Sequence, residues 1–217
     1  MAKRAERRKR RDFSVLESRW YQNEVSVKPL YDFLCDARNY GRGAYIYERF
    51  FSAKSLAELL KFVTEKESAC FLYIGTHGVA RQLKFPDSSL LDAAGLWRRI
   101  QSAGARPEGL FLSTCGFLTE KNAKALLIRE ARGTSLRWVA GYQKDVDWLQ
   151  TAFFEAMFFD QLFGGETESG EEIPIEDVAR HFRWDGDWFA KNNGFNIFVR
   201  KPRGKGEITN LTALPQA

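Results

Sequence analysis

The sequence predicts an α/β protein: a three-layer α/β/α sandwich around a mostly parallel sheet of about six strands. Short, near-continuous apolar runs such as SACFLYIG and GLFLST read as strands buried on both faces. Between such runs lie stretches of about 10–15 residues whose apolar positions recur at helical spacing. Regular alternation of the two is the pattern of βαβ units.

FSVLES is the first strand. SVKPLYDFLCDARN places Leu30, Phe33, Leu34 and Ala37 at helical spacing, with Ser26 as its expected N-cap and Gly41 as its stop. AYIYERF has strand composition, and SAKSLAELLKFVTEK is helical, opening at Ser52 or Ser55. SACFLYIG follows as a buried strand. Pro86 breaks RQLKFPDSS into a short hairpin or a loop. LLDAAGLWRRIQSA is helical, GLFLST a strand, and TEKNAKALLIREA a helix capped by Thr119. SLRWVAGY is a strand, and DVDWLQTAFFEAMFFDQLF is the most apolar helix, expected to lie on the sheet. GGETESGEE reads as an acidic flexible loop, IPIEDVARHFRW as a helix with Pro174 near its start, and GFNIFVR as a last strand.

At 217 residues, with 44% hydrophobic content, 18 Phe and 6 Trp, the chain can bury a sizeable core without covalent staples. One domain is expected over residues 12–200, between a disordered basic tail at 1–11 and a flexible C-terminal tail at 201–217. The net charge of +5 is uneven. Residues 1–11 carry +6 and residues 200–217 carry +3, which leaves the body at about −4. The high pI therefore belongs to the ends, and nucleic-acid binding is not expected except through the basic N-terminal run. Three cysteines, Cys35, Cys70 and Cys115, with no CxxC spacing and only two histidines, argue against a disulfide framework and a structural zinc site. No cofactor or metal is expected. The basic N-terminus has no apolar run behind it, and no segment reaches the roughly 18 apolar residues needed to span a bilayer. A soluble, cytoplasmic protein without membrane contact is the expectation.

Ligands of open α/β sheets bind beyond the carboxyl ends of the strands. Two predicted strands deliver a reactive residue there, each followed by glycine: SACFLYIGT runs into His77-Gly78, and GLFLST into Cys115-Gly116. If these strands are neighbours, about 4.8 Å apart, thiol and imidazole can meet across a narrow gap. Such a pair suits nucleophilic catalysis, in which a thiolate attacks and an imidazole carries the proton. Gly78 lets backbone approach a substrate closely, and its N–H and that of Cys115 are candidate oxyanion donors. The helix opening near Thr119 adds a positive dipole end that favours the thiolate.

CFLYIGTHG and LFLSTCG together resemble the His-Gly and Cys-Gly blocks of the caspase-like cysteine peptidases, and WVAGYQKDVDWLQTAFFEAMFF is similar to the following segment of their prokaryotic CHAT group. The resemblance covers about residues 13–200. It implies peptide-bond hydrolysis through an acyl-enzyme, with Cys115 as nucleophile, His77 as general base, and the Gly78 and Cys115 amides as the oxyanion hole. It implies a protein substrate and no third catalytic residue. Two positions before the nucleophile, where caspase-like enzymes carry an acid or Gln, this chain has Ser113. The residue recognised before the cut bond stays open: candidate substrate contacts are Arg19, Ser113, Tyr142, Asp145 and Asp147. Asp145 or Asp147 would receive a basic side chain, and Arg19 or Arg81 an acidic one. With no sensor domain in the chain, an activating partner protein or an oligomer is expected to control it.

Two other readings stand beside this one. A non-catalytic caspase-like binding or regulatory module would keep the fold without turnover. A flavodoxin-like regulator would make His77 and Cys115 incidental, but neither GxGxxG nor GxxxxGK[ST] follows any strand.

Overall fold

The computed structural model describes residues 13–18, 26–37, 45–66, 71–128, 136–164, 173–183, 187–201 and 207–213. Arg19, Cys70, the 1–11 segment and most of GGETESGEE, about which the sequence made predictions, lie outside the described residues.

In chain order the elements are β1 (Phe13–Ser18), α1 (Lys28–Ala37), β2 (Ile46–Phe50), α2 (Ala53–Lys66), β3 (Phe71–Gly75), β4 (His77–Val79), β5 (Gln82–Lys84), β6 (Leu90–Leu91), α3 (Ala93–Ser102), β7 (Gly109–Ser113), α4 (Glu120–Leu127), β8 (Trp138–Tyr142), α5 (Trp148–Gly164), α6 (Ile175–Arg180), α7 (Trp188–Asn193), β9 (Phe195–Arg200) and β10 (Ile208–Asn210). Among the described residues, seven strands form one sheet in the order β10-β9-β8-β7-β3-β1-β2. The run from β2 to β8 is parallel, and β9 and β10 are antiparallel additions.

Side-chain alternation along the central strands produces the three layers. Leu72 and Ile74 of β3 and Leu110 and Leu112 of β7 join Leu56, Leu60, Leu96 and Leu126 of α2, α3 and α4 in one core. Phe71 and Tyr73 of β3 and Phe111 of β7 point the other way, into a core completed by Tyr31 of α1, Phe154, Phe158 and Phe159 of α5 and Phe182 after α6. Rings dominate this second layer: Phe158 and Phe159 meet edge-on at 5.3 Å, and Phe154 meets Phe195 edge-on at 4.8 Å. The predicted three-layer sandwich is thus present.

Helix ends follow local chemistry. Thr119, as predicted, caps α4 by accepting from the Asn122 amide (3.3 Å), and Ser52 accepts from Ser55 at the start of α2 (3.1 Å). The aromatic stretch before the last strand hides a helix the sequence reading missed. Asp187 caps α7 through Ala190 (2.9 Å), and Gly194, at φ +58°, ends it.

One expectation is corrected: the C-terminal segment is not loose throughout. Among the described residues the main sheet has seven strands where about six were expected, because the segment assigned to a loose C-terminal tail contains β10. Leu211 donates its amide to the Ile197 carbonyl (2.8 Å), Thr212 Oγ1 donates to Phe195 O (3.0 Å), and Thr212 is fully buried. These bonds dock a segment whose composition gives no strand signal. After His77 the short hairpin, one of the two expected alternatives, is present and extends into an antiparallel sheet β4-β5-β6, with a two-residue turn at Ala80-Arg81 between β4 and β5.

That turn carries local strain. Both residues have positive φ, +49° and +64°, the primed hairpin geometry usually given to Asn and Gly. The double substitution Ala80→Asn, Arg81→Gly is therefore expected to stabilise the fold by about 1 kcal/mol, after allowing for the entropy of the new glycine. A thermal melt should rise by about 2–4 °C. An unchanged or lower midpoint would count against strain at this turn.

Candidate active site

β3 and β7 are direct parallel neighbours in register, with Gly75 opposite Ser113. Their carboxyl ends therefore reach the same rim of the sheet. Beyond the register the chains stay together, since the Thr76 amide donates to the Ser113 carbonyl (3.1 Å). Thr76 Oγ1 donates to Lys84 O (2.8 Å), drawing the chain out of β3 and into the hairpin. His77 thus opens β4 rather than closing β3, a one-strand difference from the sequence expectation.

The next residue fixes the approach. A Cβ on Gly78 would lie 1.8 Å from the Cys115 carbonyl oxygen and 2.9 Å from Thr114 Cγ2. No side chain fits there, so the His77-Gly78 backbone rests directly on the backbone of Cys115. Both His77 and Cys115 are half-buried, so each retains a solvent-facing portion.

After Cys115 the chain turns at Gly116, φ +61°, a conformation that favours glycine. This turn is laced to the end of β8: the Gly116 amide donates to Lys144 O (2.9 Å) and the Leu118 amide to Tyr142 O (2.8 Å). The sulfur lies against the Val146 peptide. The Val146 N–H donates to Sγ at 3.5 Å, and the thiol faces the Val146 carbonyl at 3.7 Å. In a thiolate only the N–H contact stays favourable, and it supports the charge.

Sequence similarity is silent here. No family model matches the chain, and no curated protein does. Among solved structures, the chain is similar to a secreted C11 cysteine protease from Bacteroides thetaiotaomicron, at 12% identity and a TM-score of 0.45. The match covers 63% of this chain and 53% of that one, so the chain spans about half the length of that protein.

The candidate substrate contacts separate by position. Tyr142 is fully buried in the aromatic core, and Ser113 is 6% exposed, with its hydroxyl donating to Glu155 Oε1 (2.6 Å). As the molecule stands, neither side chain meets a ligand from solvent. Asp147 caps α5, accepting from the Gln150 amide at 3.0 Å. Asp145 is exposed, its Oδ1 3.8 Å from the Cβ position of Gly116, beside the turn that follows Cys115. Arg81 is exposed at the hairpin tip.

Two residues that the sequence reading gave no role lie under this rim. Glu155 of α5 is fully buried, accepting from Ser113 Oγ and from Tyr73 OH (2.9 Å). Burial is the main cause that lifts its carboxyl to about 7; the hydroxyl donors oppose the rise, and the charge of Glu17 adds to it. Burial first, and then the same carboxyl, hold the Tyr73 and Tyr142 phenols well above their ordinary value. Asn122 is the second. It sits in the first turn of α4 and ties together two loops of the site. Glu155 left a signal, an acid inside FFEAMFF; Asn122 left none in TEKNAKALL.

Proposed function

We propose that the protein is a cysteine endopeptidase of caspase-like, CHAT-related type, working through Cys115 and His77. The observation carrying this reading is the contact of the Gly78 backbone on Cys115, which brings the histidine and cysteine segments together at the carboxyl rim of β3 and β7. In this reading His77 takes the thiol proton and the Cys115 sulfur attacks the substrate carbonyl carbon, forming a C–S bond. The tetrahedral oxyanion is met by the Gly78 and Cys115 amides. The two-residue turn makes Val79 and Gln82 a hydrogen-bonded closing pair. Alternation along the ladder then directs the Gly78 amide away from β5, which supports that role. Collapse breaks the C–N bond, with His77 returning its proton to the leaving amine. Water, deprotonated by His77, then hydrolyses the thioester and restores the thiol.

Asp145 is the recognition candidate best supported by position, since it is exposed beside Gly116. Control by a partner protein or by oligomerisation and a cytoplasmic location belong to the same proposal. Among the described residues no helix is long and apolar enough to cross a membrane. A purified monomer that cleaves unfolded proteins at full rate would remove partner control from it.

The test is thiol labelling read by peptide mass. Iodoacetamide at neutral pH is expected to modify Cys115 about tenfold or more faster than Cys35 or Cys70, and His77→Ala to abolish the preference. Comparable rates at all three sulfurs, unmoved by His77→Ala, would refute the dyad.

A further inference from the structure

The histidine hairpin and the nucleophile's turn are joined at a second point, distinct from the Gly78 contact. The Asn122 side-chain amide donates one N–H to the carbonyl of Arg81 (3.0 Å) and the other to the carbonyl of Phe117 (2.8 Å). Arg81 lies in the tight turn between β4, which begins at His77, and β5. Phe117 follows Cys115 by two residues. Only the NH2 end of an amide can meet two carbonyls, so the contacts themselves settle its orientation. Asn122 is buried, at 9% exposure, and its own backbone is held by the Thr119 cap.

Two carbonyl oxygens repel each other, and these two belong to segments 36 residues apart in sequence that the hairpin alone does not hold together. The turn at Ala80-Arg81 is also in an unfavourable backbone conformation for its residues, so its position depends on an outside partner. The far end of the clamp is firm: the Gly116 and Leu118 amides, on either side of Phe117, are bonded to β8 and the loop after it.

We propose that Asn122 is a positioning residue that sets the approach of His77 to Cys115 by clamping the hairpin tip to the nucleophile's turn. The catalytic part of this proposal rests on the cysteine-peptidase reading. The amide touches neither reacting atom. It removes a hinge motion of β4 and β5 that would carry the imidazole away from the sulfur while the Gly78 contact acts as pivot.

Asn122→Asp replaces the donor by an oxygen that repels both carbonyls, and Asn122→Ala deletes it. The control is Ala123→Gly, which weakens the same helix from a buried position but leaves the amide in place. Hydrogen exchange of the peptide spanning 76–84 is expected to quicken about tenfold in both Asn122 variants and to stay at the wild-type rate in Ala123→Gly. Peptidase kcat is expected to fall about 10- to 100-fold with KM little changed, and the pH profile of Cys115 alkylation to move toward that of His77→Ala. An Asn122→Ala protein whose hairpin exchanges at the wild-type rate overturns the clamp, whatever its activity. Faster exchange with kcat within about threefold of wild type overturns the positioning role. A wild type with no His77-dependent reactivity at Cys115 instead defeats the peptidase reading, and the exchange result then still decides the clamp. If Asn122→Asp does not fold, Asn122→Ala supplies every reading.

Discussion

On the cysteine-peptidase reading, Gly78→Ala is expected to lower kcat by about 10²–10³-fold. One added methyl group has this effect because of where it would fall. The Cβ position is 1.8 Å from a backbone oxygen and 2.8 Å from the Cys115 carbonyl carbon, so no rotamer change can relieve the clash. Either the hairpin lifts, taking His77 with it, or the Cys115 peptide shifts, taking the sulfur and the second candidate oxyanion amide with it. Both movements separate groups that must act together. The stability loss is expected to be modest, about 1–3 kcal/mol, since overpacking at a rim can relax outward. A circular-dichroism melt and steady-state kinetics on an unstructured peptide separate the two effects. Val79→Ala, at the exposed neighbouring position, is expected to leave both nearly unchanged. A Gly78→Ala enzyme retaining half its kcat would mean that the segment's closeness to Cys115 has no part in the chemistry.

The strand ends were legible because burial on both faces leaves an unmistakable mark. FLYIG is apolar or glycine throughout, and GLFLS is so up to Ser113, where β7 ends. Polar residues just past those stops had to lie on one rim once the strands were parallel neighbours. The same period-two logic would have placed the Ser113 side chain under α5. It shares a face with Phe111, and that face is covered by α5, so its hydroxyl was bound to meet whatever α5 presents there. Tyr142 is buried for the same reason, on the same face as Trp138 and Ala140.

Other features had no local mark. In TEKNAKALL, Asn122 looks like one more solvated polar residue of a helix start. Its side chain is held by the Phe117 carbonyl close by and by a hairpin 41 residues earlier in the chain. β10 is three residues, Ile-Thr-Asn, in a stretch of lysines, glycines and prolines, and the unpaired edge of β9 supplies the reason for it to extend. Glu155 was visible as an acid in the most apolar helix of the chain. Its donors were not, because Tyr73 is 82 residues away and Ser113 is 42. Charge and hydroxyl chemistry at such separations is settled by topology, not by spacing.

That buried carboxyl leads to a second large effect, on stability rather than on turnover. In the unfolded chain Glu155 ionises near 4.5, whereas in the fold it keeps its proton up to about 7. Between those values the native state binds more protons than the unfolded state, so raising the pH favours unfolding. The contribution is whole below about 4.5, falls across the window, and is gone above about 7, a total of about 3 kcal/mol. Glu155→Gln keeps the shape and a carbonyl acceptor for Ser113 or Tyr73 but cannot ionise. Its stability relative to wild type is expected to rise by that amount from pH 4.5 to 7.5, while groups common to both proteins cancel. Urea midpoints at a series of pH values measure the difference directly. Parallel midpoints across the window would show that the carboxylate is already ionised in the fold, held by its hydroxyl donors against the cost of burial. Ser113, one of those donors, lies two residues before Cys115 on the same chain. On the cysteine-peptidase reading, ionisation of Glu155 changes the acceptor that Ser113 bonds beside Cys115, and an activity pH profile that differs between wild type and Glu155→Gln near 7 is the expected counterpart of the stability slope.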